Sequence, residues 1–373
     1  MKHVPISLTD AQRIDWLRLI RTPSVGSRTF IELVQRFGDP AAAIAELPEI
    51  ARRAKGRRKL VAPPVDDIHA ELDRLAHAGG RMIALCEAEY PHPLSAIADP
   101  PPVLFVKGDA DTLQKPMIAI VGARNASTNA RRFAEDIAAE LGAAGYIVVS
   151  GLARGIDGVA HKGALATGTV AAVAGGIDVI YPPEHADLQA RIGETGAIVS
   201  DQPVGTQPTA RHFPARNRLI SGLAGGVLVV EAAKKSGSLI TARLALEQGR
   251  EVFAVPGSPR DPRCRGTNDL IRQGAVLTES ADDVIDMLER QMLKPAPLPR
   301  RAVSFEPVET KVEIPPESGH VEIVKLLGAA PTGVDELVRE CHMSAASVRS
   351  ILLELELSGR IERHPGNRVS LIL

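Results

Sequence analysis

The chain has 373 residues, 45% of them hydrophobic and 24% charged, which suits a globular protein of two or three domains. A formal net charge of −1 excludes a uniformly basic nucleic-acid binder but leaves room for a local basic groove, because binding follows where Lys and Arg cluster. Cys86, Cys264 and Cys341 lie far apart with no CxxC or Cys/His spacing, which excludes a zinc ribbon and argues against a disulfide framework.

The N-terminal segment MKHVPISLTDAQRIDWLRLI lacks the apolar run of a signal peptide, and no stretch reaches roughly 18 apolar residues. A cytoplasmic protein without membrane span, metal or cofactor is expected. Residues 1–80 read as a helical domain, with Trp16, Leu17 and Ile20, then Phe30, Leu33, Val34 and Phe37, at helical spacing. The turn Thr22-Pro23-Ser24-Val25-Gly26-Ser27 between them has the small residues of a helix–hairpin–helix (SAM-like) hairpin. Such a hairpin either faces its amides to a phosphate or serves packing alone.

Residues 81–290 read as a Rossmann-like domain. Short runs of Val, Ile and Ala at Met117–Val121, Tyr146–Ser150, Val170–Ala174, Ala197–Ser200, Val227–Val230, Val252–Val255 and Ala275–Leu277 alternate with helix-length segments. They scarcely alternate with polar residues, as expected of strands buried on both faces. Phe133, Ile137 and Leu141 mark one connecting helix, with Gly145 after it. Repeated βα units predict an α/β fold with a doubly wound, mainly parallel sheet. Residues 291–318, with six prolines and no periodicity, read as a linker. In residues 319–373, helices at His320–Leu327, Val334–Cys341 and Ala345–Leu357 precede a hairpin of Ile361–Arg363 and Arg368–Ile372. This is a winged helix-turn-helix pattern, with Ser344 capping the third helix. Its third helix offers Ser347, Arg349 and Ser350 as exposed candidates. With one cation among them, protein contact is the better reading of this domain and DNA contact the alternative.

Ligands of an open parallel sheet bind outside the carboxyl ends of its strands. Three loops there combine small residues, a cation and a hydroxyl, and each opens a helix. Gly122, Arg124 and Ser127 follow the first run; Gly151 and Arg154 follow the second, Ser150; and Lys235, Ser236, Gly237 and Ser238 follow Glu231. Glycine admits close backbone approach, free N–H groups donate at the helix start, and the helix dipole adds positive potential, so the combination predicts anion binding. A fourth segment, Arg211-His212-Phe213-Pro214-Ala215-Arg216-Asn217-Arg218, is read as a polar loop before a helix. Phe213 would stack on a base there while Arg216 and Arg218 line the groove. Walker spacing is absent, and Gly122-Ala123-Arg124 departs from GxGxxG, so neither an ATPase nor a dinucleotide site fits. Asp157 and His161, four apart, suggest a brace and a packed neighbour rather than a catalytic dyad.

The segments VGARNAS, SGLARGIDGVAH, FPARNRLISGL, VVEAAKKSGSLITARLALEQGREVFAVPG and GTNDLIRQGA closely resemble the DNA-processing protein A (DprA/Smf) family. The resemblance implies a non-enzymatic homodimer that binds incoming single-stranded DNA during natural transformation, protects it and helps load the RecA recombinase. It implies DNA contacts at Arg124, Phe213, Arg216 and Lys235, and dimer or RecA contact through Leu270 and Ile271 of GTNDLI. Some relatives have a lysine three residues before the phenylalanine, where this chain has Ala210. Two other readings differ in kind. A nucleoside-monophosphate phosphoribohydrolase-like enzyme needs a catalytic glutamate just after its glycine-rich motif; this chain keeps Glu231 at a strand end, but no carboxylate follows in the first turn after SGS and Glu247 comes too late. A transcription regulator would instead bind duplex DNA through the winged helix.

Overall fold

A computed structural model describes residues 7–53, 60–292, 317–364 and 366–372. They divide into two compact units. One holds residues 71–292, and the other joins the described residues of 8–70 to those from 317 onward. The expected linker lies outside the described residues over 293–316; its two ends belong to helices.

In the second unit the N-terminal part contains α1 (Asp10–Ile20), α2 (Ser27–Phe37) and α3 (Pro40–Arg53), and α4 (Val65–His77) follows. Thr9 and Gln12 form a capping box that starts α1 by satisfying amides the helix itself cannot. Trp16 packs on Phe30 with ring centroids 4.9 Å apart. Leu17, Leu19 and Leu33 are fully buried around them, each stabilising the fold by about 1.5–3 kcal/mol.

The first unit is built on a nine-stranded sheet: β1 (Gly80–Ala84), β2 (Val103–Gly108), β3 (Met117–Val121), β4 (Ile147–Ser150), β5 (Thr169–Ala172), β6 (Ala197–Ser200), β7 (Gly226–Val229), β8 (Glu251–Ala254) and β9 (Val276–Leu277). Their order is β1-β2-β6-β5-β4-β3-β7-β8-β9. Strands β3 to β9 pair in parallel, as expected. The antiparallel strands β1 and β2, which extend the sheet beyond β6, were not among the runs read from sequence. Beside the short helix α5 (His92–Ser95), the connecting helices are α6 (Thr128–Ala143), α7 (Ile156–Ala164), α8 (Ala186–Thr195), α9 (His212–Leu223), α10 (Ser238–Glu247), α11 (Arg265–Arg272) and α12 (Ala281–Met292). Ser127 caps α6, whose Ala134, Ile137, Ala138 and Leu141 recur at helical spacing on its buried face, with Phe133 packed beside them.

The winged helix completes the second unit with α13 (Glu317–Leu326), α14 (Val334–Glu340), α15 (Ala345–Leu357) and a sheet of β10 (Thr332–Gly333), β12 (Arg368–Leu371) and β11 (Ile361–His364). Ser344 caps α15, as expected. This helix packs on α2 and α3 as well as on its own domain. Glu354, on α15, has a side chain with no exposure; it accepts from both terminal nitrogens of Arg36 on α2 at 3.3 Å and meets His320 Nε2 at 2.8 Å. Arg363 likewise bridges Glu32 on α2 and Glu356 on α15, at 3.1 and 2.7 Å.

Candidate nucleic-acid interface

Strand order reverses between β3 and β7, so their carboxyl ends flank a topological switch point, the place where open α/β sheets bind ligands. The loop after β4 is pressed against the loop after β3: Ile156 N–H donates to Ala123 O at 3.3 Å. Gly155 permits this. Its φ of +77° is left-handed, and a side chain there would strike the carbonyls of Ala123 and Arg124. Leu152, buried with φ of +56°, holds a second strained turn in the same loop, a feature that clusters at functional sites.

An outer layer of side chains stands on this framework. Arg124 is exposed, and its guanidinium carbon sits 5.2 Å from the centroid of the Phe213 ring. Phe213 in turn lies 5.6 Å from Tyr181, at an interplanar angle of 54°. A small pocket is lined by Tyr181 and Phe213 themselves together with Gly151, Leu152, Gly175 and Pro208. Arg154 is exposed and ion-paired with Glu184. Lys235 and Gly237 are exposed on the loop after β7, whereas Ser238 is buried, its hydroxyl 2.7 Å from that of Ser236.

Several expected contacts belong instead to an inner layer. The segment read as a polar loop is the first turns of α9, because a helix tolerates proline in its first turn, where the missing N–H has no partner to lose. Helical phase then keeps Phe213 half-exposed but turns Arg216 inward. Arg216 is 5% exposed, and its Nη1 donates to Gly151 O and Ala172 O. Any side chain at Gly151 would meet that guanidinium, so this glycine makes room for Arg216 rather than for a phosphate. Burial brings the Arg216 pKa down to about 10, which leaves it charged at neutral pH. Arg218 is held between Asp201, at 2.8 Å, and Asp99, at 3.4 Å. Gly122 packs against Ile156. Ser127 caps α6 while its N–H and hydroxyl donate to Glu231, at 3.1 and 2.8 Å.

Asp157 braces the β4 loop: its Oδ2 accepts from the N–H groups of Gly151 and Ala153. Burial raises its pKa, opposed by the nearby Arg216. His161 is fully buried with Nδ1 2.8 Å from Thr169 Oγ1, and burial drives its pKa down to about 3. Glu231, the strand-end carboxylate kept in the region that matches the enzyme motif, is 3% exposed and engaged by Ser127. Leu270 and Ile271 are half-buried on α11, beside the edge strand β9. On α15, Ser347 is buried and bonded to Ser344, contrary to expectation; Arg349 is exposed. Tyr181 was missed in the sequence, although aromatics make up only 3% of the chain and this one precedes two prolines in a loop. Among the described residues no helix is long and apolar enough to cross a membrane, and no cluster of His, Cys, Asp or Glu could hold a metal.

Comparison with known proteins places the whole arrangement. Residues 81–289 match the family model for DNA recombination-mediator protein A, residues 10–73 the DprA-like N-terminal HHH domain, and residues 307–367 the DprA winged helix domain. Protein Smf of Escherichia coli is 36% identical over 360 residues, covering 95% of both chains. DNA processing protein DprA of Bacillus subtilis is 44% identical over 231 residues, 60% of this chain and 78% of that one. Among solved structures, DprA of Streptococcus pneumoniae superposes with a TM-score of 0.63 at 34% identity, over 75% of this chain and 98% of the other. DNA processing protein A of Helicobacter pylori, a structure described for its single-stranded DNA binding mode, gives 0.52 at 29% identity, over 57% and 96%. The chain therefore belongs to the DprA/Smf family of DNA recombination-mediator proteins, which are not enzymes.

Proposed function

We propose that this chain binds single-stranded DNA along the rim formed by the loops after β3, β4 and β7 and delivers it to RecA during recombination of incoming DNA. The observation that carries the reading is the half-exposed Phe213 ring, with the Arg124 guanidinium over it and Tyr181 beside it. An aromatic surface next to a cation accepts any base by stacking while the charge meets the neighbouring phosphate, so recognition is tolerant of sequence. Exposed Lys235 adds further charge along the same edge. Arg216 and Asp157 act beneath the surface and hold the β4 loop in place.

The protein works in the cytoplasm as a homodimer. The open side of β9 with Leu277 exposed, together with Leu270 and Ile271 on α11, supplies an apolar edge for the second copy or for RecA. Fluorescence anisotropy with mixed-sequence oligonucleotides tests the DNA reading. Arg124→Ala and Phe213→Ala each weaken binding with little dependence on base sequence, and unchanged affinity in both removes this rim as the site. RecA delivery is tested by filament formation on strands already coated with a single-strand-binding protein; no acceleration by the unaltered chain rejects that role.

A further inference from the structure

The base-stacking cluster occupies one side of the switch point, among the loops after β3, β4 and β5 and the start of α9. On the other side, β7 and β8 are parallel neighbours in register from Gly226↔Glu251 to Val229↔Ala254, so their following loops leave the same edge of the sheet. These two loops are fastened together: Gly266 N–H donates to Ala232 O at 2.7 Å, and Lys234 Nζ lies 3.7 Å from Asp269 Oδ2. Between them they present Lys234, Lys235, Arg260, Arg263 and Arg265 against the carboxylates of Asp261 and Asp269.

Lys235, Arg260 and Arg265 are exposed and, among the described residues, in no ion pair. Lys234 and Arg263 keep side-chain exposures of 66% and 46% despite their carboxylate partners. Glu231 at the switch point is buried and bonded to Ser127; its charge reaches Arg263 from beneath, while the outer surface of the strip carries the cations. The aromatic residue within these two loops and the strands that precede them is Phe253, and it is fully buried in β8. The strip therefore offers cations without a stacking surface.

We propose that the paired loops after β7 and β8 form a second, phosphate-only segment of the DNA track, continuing the strand across the switch point from Arg124 and Phe213. This rests on the single-strand reading above. Neighbouring strands stand about 4.8 Å apart, so the path from β4 to β8 covers about 14 Å of sheet edge. A short oligonucleotide fills the aromatic segment alone, whereas a longer one reaches both. Affinity for long strands then depends on salt more steeply than affinity for short ones.

The test compares oligo-dT of about 4 and about 16 nucleotides, lengths that bracket known single-strand site sizes, on the full chain and on a variant combining Arg260→Ala, Arg263→Ala and Arg265→Ala. With about 0.7 of log–log salt slope per neutralised phosphate, the variant flattens the long-oligonucleotide slope by about 2 and weakens its binding. It leaves the short oligonucleotide unchanged. Replacing the same three arginines by lysine restores the slope, and a melting temperature of the alanine variant equal to that of the unaltered chain shows that the loss is of charge rather than of structure. Unchanged slope and affinity for the long oligonucleotide overturn the proposal while the aromatic site stands, and point to an acidic protein surface as the strip's partner. Failure of the unaltered chain to bind either length overturns both readings.

Discussion

The rim of the first unit and the third helix of the winged helix both place an arginine close to a buried carboxylate, but they end in opposite surfaces. At the rim, Arg216 and Asp157 form an inner layer, and Arg124, Phe213, Tyr181 and Lys235 stand outside it. On α15 the buried Glu354 draws in Arg36 and His320, and the helix is closed by α2 and α3, leaving Ala345, Ala346 and Arg349 as its exposed residues. Buried charge costs desolvation and is retained where it fixes one arrangement over others. At the rim it fixes the loops that display Arg124, Phe213 and the other exposed groups of the proposed DNA site. In the second unit it fixes one domain on another, with α2 and α3 packed on α15 and only Ala345, Ala346 and Arg349 of that helix left exposed.

The contrast is sharpened most by removing each buried group. Glu354→Ala leaves Arg36 and His320 without their shared partner and destabilises the second unit by about 3–5 kcal/mol. Denaturant titration reads this loss, while affinity for single-stranded DNA is retained; a parallel fall in affinity would break the division of labour. Arg216→Ala strands the Asp157 carboxylate and two carbonyls, at a cost also of about 3–5 kcal/mol, now in the first unit and accompanied by weaker DNA binding. A variant that binds weakly yet melts normally would restore Arg216 as a direct phosphate contact. Phe213→Ala separates the layers in the other direction: affinity falls by about 1–3 kcal/mol with the melting temperature held, because the ring is only half-buried.

The smallest effect near neutrality is a pH dependence of the first unit. His161 is held neutral in the fold, with its pKa lowered from 6.5 to about 3. Its contribution to stability is complete above pH 6.5 and is lost as pH falls toward 3, by at most about 1.4 kcal/mol per pH unit. The raised pKa of Asp157 works in the opposite sense: its contribution is present in acid and lost as pH rises through the folded value. Melting curves from pH 7 to pH 4 should therefore be flatter for His161→Gln than for the unaltered chain. An identical slope would show that His161 does not titrate between the folded and unfolded states in this window.

Much of the central fold was legible because burial on both faces leaves uninterrupted runs such as Met117–Val121 and Ala197–Ser200. The exposed strand-end position was legible for Arg124 and Lys235, which lie in Gly- or Ser-bearing turns. The buried position of Arg216 and the ion-paired one of Arg218 were not legible, because Phe213-Pro214 reads locally as a loop but initiates α9. β1, whose first two residues are not buried, carries too short an apolar run to read as a strand, and β2 was missed although its first four residues are all buried.

The amino-acid sequence by itself determined which segments become strands, where helices are capped, and the set of cations and aromatics available at the strand ends. Those properties follow from local periodicity and turn chemistry. Only the tertiary structure decided that Arg216 lies beneath the rim, that Tyr181 joins Phe213 and that α2 and α3 cover α15. The direction of a side chain depends on the rotational phase of its helix against a distant sheet, and no local pattern encodes that phase.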